Sequence, residues 1–139
     1  MPEDAKLLLR RFYDGVSAGN LDIIDELVAD DFVEHEELPG LEPGKQGVKQ
    51  FFQMYRAAFP DLRMEPHEVL ADGDLVAARV TVTGTHQADF IGIPATGGRI
   101  DVQVFDMLRI RDGRAIEHWG VMDAMAMMRQ LGVVPEAPA

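Results

Sequence analysis

The sequence predicts an α+β fold in which helices pack on a curved antiparallel sheet that closes around a pocket. Three observations predict it. Apolar residues recur with helical period from Leu8 to Phe59, and with period two after Pro60. Helices therefore gather in the first half and strands in the second, the order expected of α+β rather than βαβ architecture. Asp112-Gly113 divides two apolar, β-branched runs, the strongest short hairpin signal a sequence carries. At 139 residues, with no internal repeat or linker, the chain is one domain with one core.

The elements follow in order. Pro2 to Ala18 is a helix, with Leu8, Leu9, Phe12, Tyr13 and Val16 on one stripe and Gly19 as its stop. Asn20 caps a second helix through Val28, burying Leu21, Ile24, Leu27 and Val28. Phe32 to His35 is a short extended segment. Glu36 to Lys45, with its two prolines and two glycines, is a loop. The third helix runs from about Gly47 to Phe59, and Pro60 ends it. Leu62 to Leu70 is a strand in which Pro66 marks an edge or a bulge. Leu75 to Thr85 is a second strand. The loop from His86 to Gly98 holds Phe90, Ile91 and Ile93, apolar enough to pack against the body. Arg99–Arg111 and Arg114–Met122 make the final hairpin, Asp123 to Leu131 a short Met-rich helix, and residues 133–139 a tail.

Charge and composition narrow the function. Asp and Glu number 24 against 13 Lys and Arg, giving a net charge of −11. That argues against nucleic acid and against anionic membranes as partners. The chain has no cysteine, and its acidic N-terminus lacks the apolar run of a secretory signal. No stretch approaches the ~20 apolar residues of a membrane span, so a soluble cytoplasmic protein is expected. There is no HExxH or similar histidine spacing and no phosphate-binding glycine loop, so neither metal nor cofactor is expected. The one serine, Ser17, sits at a helix end and cannot serve as a nucleophile elbow.

The final hairpin carries the chemical clue. A two-residue turn pairs Arg111 with Arg114, Asp106 with Trp119, Val104 with Val121 and Val102 with Asp123. One face then presents Val102, Val104, Asp106, Leu108, Glu117, Trp119, Val121 and Asp123. An acid on an apolar sheet face costs free energy unless it is hydrogen-bonded or functional, which singles out Asp106 and Asp123. A bulge in the hairpin would change this register. Asp123 also stands where an N-cap for the last helix belongs. His35 and His86 are the candidate pocket histidines, since each lies where a strand gives way to a loop. His118 falls on the opposite face, and His67 is peripheral. Tyr13, Tyr55 and Phe59 lie on inward helix faces. Asp30-Asp31 and Glu34-Glu36-Glu37 read as solvated surface. Phe105, Met107, Ile116 and Met122 form an apolar outer set, and a homodimer through that face is expected.

The run HQADFIGIPATGGRIDVQVFDMLRIRDGRAIEHWGVMDAMAMMRQLG resembles the SnoaL-like polyketide cyclases, or ester cyclases, of the NTF2-like superfamily. VADDFVEHEELPG and FFQMYRAAFPDLRMEPHEVLADGDLVAARVTVTGTH fit the same pattern, and AFPDL, GIPATG, RDGRAIEHWGVMD and QLG are its most specific pieces. The resemblance covers nearly the whole chain. It implies a single domain over 1–139, an NTF2-like cone, and ring closure of a polyketide by an intramolecular aldol reaction without metal or cofactor. A pocket aspartate near the end of the last strand is the family's acid/base, and the matching residue here is Asp123. His35 stands where the family places a polar pocket residue. On this reading Asp123 is catalytic, with His35 and Asp106 assisting. Trp119, His86, Tyr13, Tyr55 and Phe59 shape a cavity for a small apolar carbonyl compound. Two alternatives use the same pocket: a non-catalytic module that binds an apolar ligand, and another NTF2-like isomerase or hydrolase.

Overall fold

A computed structural model describes residues 2–36 and 40–134. Its elements are α1 (Pro2–Ala18), α2 (Asp22–Leu27), β1 (Val28–Glu34), α3 (Gly44–Ala58), β2 (Arg63–Asp72), β3 (Leu75–Thr85), β4 (Arg99–Arg111), β5 (Arg114–Met122) and α4 (Ala124–Gln130). The strands form one sheet in the order β1-β5-β4-β3-β2. Neighbours from β2 to β5 are antiparallel, as expected, whereas β1 joins the edge parallel to β5. Helix α1 packs on β2 and β3, and α3 on β1, so one sheet face is covered and encloses the core. This is the α+β cone the sequence predicts. No described helix is long and apolar enough to cross a membrane.

The helices follow their apolar stripes. Leu8, Leu9, Tyr13 and Val16 of α1 are buried, and Gly19 ends the helix at φ 83°. That left-handed conformation is costly for any residue with a Cβ. Helix α2 is shorter than expected because Val28 leaves it and pairs with Ala115 of β5, so β1 begins there rather than at Phe32. Helix α3 buries Val48, Phe52, Tyr55 and Ala58. Strand β2 is an edge, and its ladder is irregular between Pro66 and Val69, where the proline has no N–H to give. Strand β3 alternates without a break, burying Val76, Ala78, Val80 and Val82. Phe90 anchors the long loop by packing on Tyr55 and Phe59, with ring centroids 5.0 and 5.3 Å away. Residues 135–139 of the expected tail, and Glu37 of the expected acidic surface, lie outside the described residues.

The hairpin decides where the chemistry sits. Asp112 and Gly113 both have positive φ, 52° and 75°, as a type I′ turn requires. Arg111 pairs with Arg114 and Ile110 with Ala115, but Arg109 pairs with Glu117. Ile116 is therefore the extra residue of a β-bulge. Beyond it every side chain of β5 changes face relative to the simple register. Asp106 opposes Gly120 rather than Trp119, Leu108 opposes His118, and Met107 opposes Trp119. His118 and Met122 consequently face the core, and Trp119 and Val121 the outside.

Candidate active site

A cavity of about 560 Å³ opens between α1, α3 and the covered face of β4 and β5. Most of its wall is apolar, from residues such as Leu9, Phe12, Phe52 and Val104. One end is polar, and there four elements deliver ionisable groups to one spot.

Asp106, in the middle of β4, is the hub. Its Oδ2 accepts the Tyr13 hydroxyl of α1 at 2.6 Å, and its Oδ1 lies 2.8 Å from His118 Nε2. His118 Nδ1 bonds to the Glu34 carboxylate at the end of β1. Only 10% of the Asp106 side chain and 14% of the His118 side chain meet solvent. An imidazole held between two carboxylates must donate from both nitrogens, so it carries a positive charge. Burial alone would lower the His118 pKa, but its hydrogen bonds to Asp106 and Glu34 outweigh this and raise it from 6.5 to about 10. Burial, and then Asp106, push the Tyr13 phenol well above its usual range. Tyr13 therefore stays neutral and remains a donor.

Glu36 completes the group. Its backbone N–H donates to Glu34 Oε2 at 3.2 Å, which turns the chain over the end of β1. A Glu36 carboxylate oxygen, an Asp106 oxygen and a His118 nitrogen all lie within 4.8 Å of one another. No hydrogen bond engages the Glu36 carboxylate among the described residues. Burial raises its pKa above the ordinary 4.5, His118 opposes the rise, and Asp106 and Glu34 add to it. A carboxylate whose pKa is raised by burial, beside an imidazolium, is placed to take and return a proton. Among the described residues the Tyr55 hydroxyl has only Met122 Sδ, at 4.0 Å, and burial raises its pKa as well. It is a neutral donor with spare capacity.

Glu36, Asp106 and His118 also have the donor types of a divalent cation site, which no sequence spacing announced. Both His118 nitrogens already serve carboxylates, so a metal would have to displace one of those bonds.

Of the residues expected at the site, Asp106, Tyr13 and Tyr55 line the cavity. Phe59 is fully buried behind Tyr55. Asp123 is a correction. The strand ends at Met122, and the exposed Asp123 side chain turns outward to cap α4, accepting from Ala126 N at 3.1 Å. It does not line the cavity. His35 and Trp119 lie on the outer face, because the bulge reverses Trp119 and His35 follows it. Their rings stack at 4.8 Å, and His35 Nε2 is 2.8 Å from Glu117 Oε2. His86 is fully buried away from the cavity, with its ring on Phe59 and its Nδ1 accepting Thr96 N at 3.2 Å. Its Nε2 has no partner among the described residues.

Sequence reasoning missed His118, Glu34 and Glu36. Two signals point to them. Ala115 and Ile116 are adjacent apolar residues that break strand alternation, and Gly120 in mid-strand marks a bulge or a close approach.

Fold and site together define an NTF2-like α+β cone with an ionisable cluster at one end of an apolar cavity. Residues 6–131 match the SnoaL-like polyketide cyclase family, and the chain belongs to it. It is 28% identical over 118 residues to nogalonic acid methyl ester cyclase of Streptomyces nogalater, covering 84% of this chain and 88% of that one. It is 27% identical over 129 residues to aklanonic acid methyl ester cyclase DnrD of Streptomyces peucetius, covering 90% and 88%. Among solved structures, IdmH of Streptomyces antibioticus superposes with a TM-score of 0.80 at 34% identity, over 92% of this chain and 98% of that one.

Proposed function

We propose that the chain is a cofactor-independent cyclase that closes a ring in a small apolar carbonyl compound by acid/base catalysis. The observation that carries this is the Glu36 carboxylate, desolvated and without a hydrogen-bond partner among the described residues, beside the Tyr13–Asp106–His118–Glu34 chain. Glu36 takes a proton from the carbon next to one carbonyl. The resulting enolate carbon attacks a second carbonyl of the same molecule and forms the ring C–C bond. The alkoxide then recovers the proton from Glu36, so substrate and product have the same mass. The Tyr55 hydroxyl donates to the developing oxyanion, and the fixed charge of His118 stabilises it through space. Asp106, Glu34 and Tyr13 hold that imidazolium in place. The apolar wall favours a ring system and keeps water from the enolate.

The names of the two relatives supply the first substrates to assay, nogalonic acid methyl ester and aklanonic acid methyl ester. Conversion of either into an isomer of unchanged mass, lost in Glu36→Gln, is the expected result. Binding of both esters with no turnover by the wild-type protein would instead favour a non-catalytic module.

A further inference from the structure

Gly120 lies within β5, directly across the ladder from Asp106. Glycine weakens a strand, because it packs nothing and gives up more freedom on folding than other residues. The backbone does not require it here, since Gly120 is not among the glycines with positive φ. Space does. A Cβ at this position would stand 2.7 Å from Glu36 Oε1, 2.7 Å from His118 Cε1 and 2.9 Å from Asp106 Oδ1. Three functional groups thus converge on one missing side chain. Two backbone N–H groups hold Glu36 there: His35 N donates to the His118 carbonyl at 3.0 Å, and Glu36 N to the Glu34 side-chain Oε2 at 3.2 Å.

We propose that Gly120 is a positioning residue: its missing side chain admits Glu36 to the His118–Asp106 pair and so sets which carboxylate moves the proton. The inference rests on the catalytic reading of Glu36, but its structural half can be tested without turnover. Of the three groups around Gly120, Glu36 is the one that must yield to a methyl. Asp106 is held by both Tyr13 and His118, and His118 by two carboxylates. The Glu36 carboxylate is the free end of a flexible side chain.

The test follows the Glu36 carboxyl by carbon-detected NMR titration in the wild type and in Gly120→Ala, together with turnover of aklanonic acid methyl ester. The wild-type midpoint should lie above the usual 4.5 and return toward it in Gly120→Ala. Turnover of Gly120→Ala should fall ~10²–10⁴-fold, matching Glu36→Gln. Combining the two substitutions should cost no more than either alone, because each removes the same group. Additive losses, or an unmoved Glu36 midpoint in Gly120→Ala, would overturn the proposal. Should Glu36→Gln leave turnover intact, the catalytic reading falls, and the titration still decides whether position 120 controls Glu36. Where Gly120→Ala folds poorly, Glu36→Ala in the same chain should recover melting temperature by removing the collision, and no recovery refutes it.

Discussion

The Tyr13 hydroxyl and Asp106 Oδ2 meet at 2.6 Å although 93 residues separate them in the chain. This bond ties the inward stripe of α1 to the middle of β4. It also leaves Asp106 with one oxygen for Tyr13 and one for His118. Tyr13→Phe removes the donor and leaves a buried carboxylate oxygen unpaired, which costs about 1–3 kcal/mol. A lower urea midpoint at unchanged slope is the expected outcome. An unchanged midpoint would mean that solvent or another donor replaces the phenol.

Asp123 should prove to be a cap and nothing more. Asp123→Ala removes the acceptor for Ala126 N and should lower stability by roughly 0.5–2 kcal/mol. Asp123→Asn, which caps as well, should be nearly neutral. Turnover should be unaffected in both, and a large loss in Asp123→Asn would return this residue to the catalytic group.

Stability should depend on His118 with a definite sign. Its pKa is raised from 6.5 to about 10 in the folded state. The stabilisation it contributes is therefore fully present below pH 6.5 and is lost as pH rises through about 10. Urea denaturation of the wild type should show a decline across that window that is missing from His118→Gln. Parallel profiles for the two proteins would contradict the imidazolium assignment.

The outer sheet face should mediate a homodimer. Phe105, Leu70 and Val121 are 58%, 70% and 71% exposed, and with Met107 and Trp119 they line an open groove. Apolar surface of this kind on a small protein marks an interaction site. The face differs from the expected one in that Met122 points into the cavity and Trp119 and Val121 point out. Light scattering at micromolar concentration should give twice the 15.4 kDa chain mass, and Val121→Asp should give the monomer. A monomeric wild type would contradict the expectation.

The fold was legible because helical and strand periods are long-range averages that a single irregularity does not disturb. Strand ends at Leu75, Thr85, Arg99, Arg111, Arg114 and Met122 all fall where turn residues place them. The site was legible only on β4 and the helices, where Asp106, Tyr13 and Tyr55 sit in regular elements. On β5 one inserted residue, Ile116, exchanges the two faces, so His118 took the place assigned to Trp119. Glu36 was hidden for another reason. It lies two residues beyond the end of β1, and its inward course depends on the bond from His35 N to His118 O and on the gap at Gly120, neither of which has a local pattern.

In the proposed reaction Glu36 carries the proton. Its pKa is raised, so the ionised, proton-accepting form accumulates only as pH climbs past a midpoint above 4.5, and kcat/KM should rise with it. The direct measurement is the pH profile of kcat/KM for aklanonic acid methyl ester in the wild type and in Glu36→Gln. The wild type should show an acid limb, and Glu36→Gln a profile without that limb, ~10²–10⁴-fold lower at its plateau. A Glu36→Gln protein with wild-type kcat/KM and an intact acid limb would contradict it.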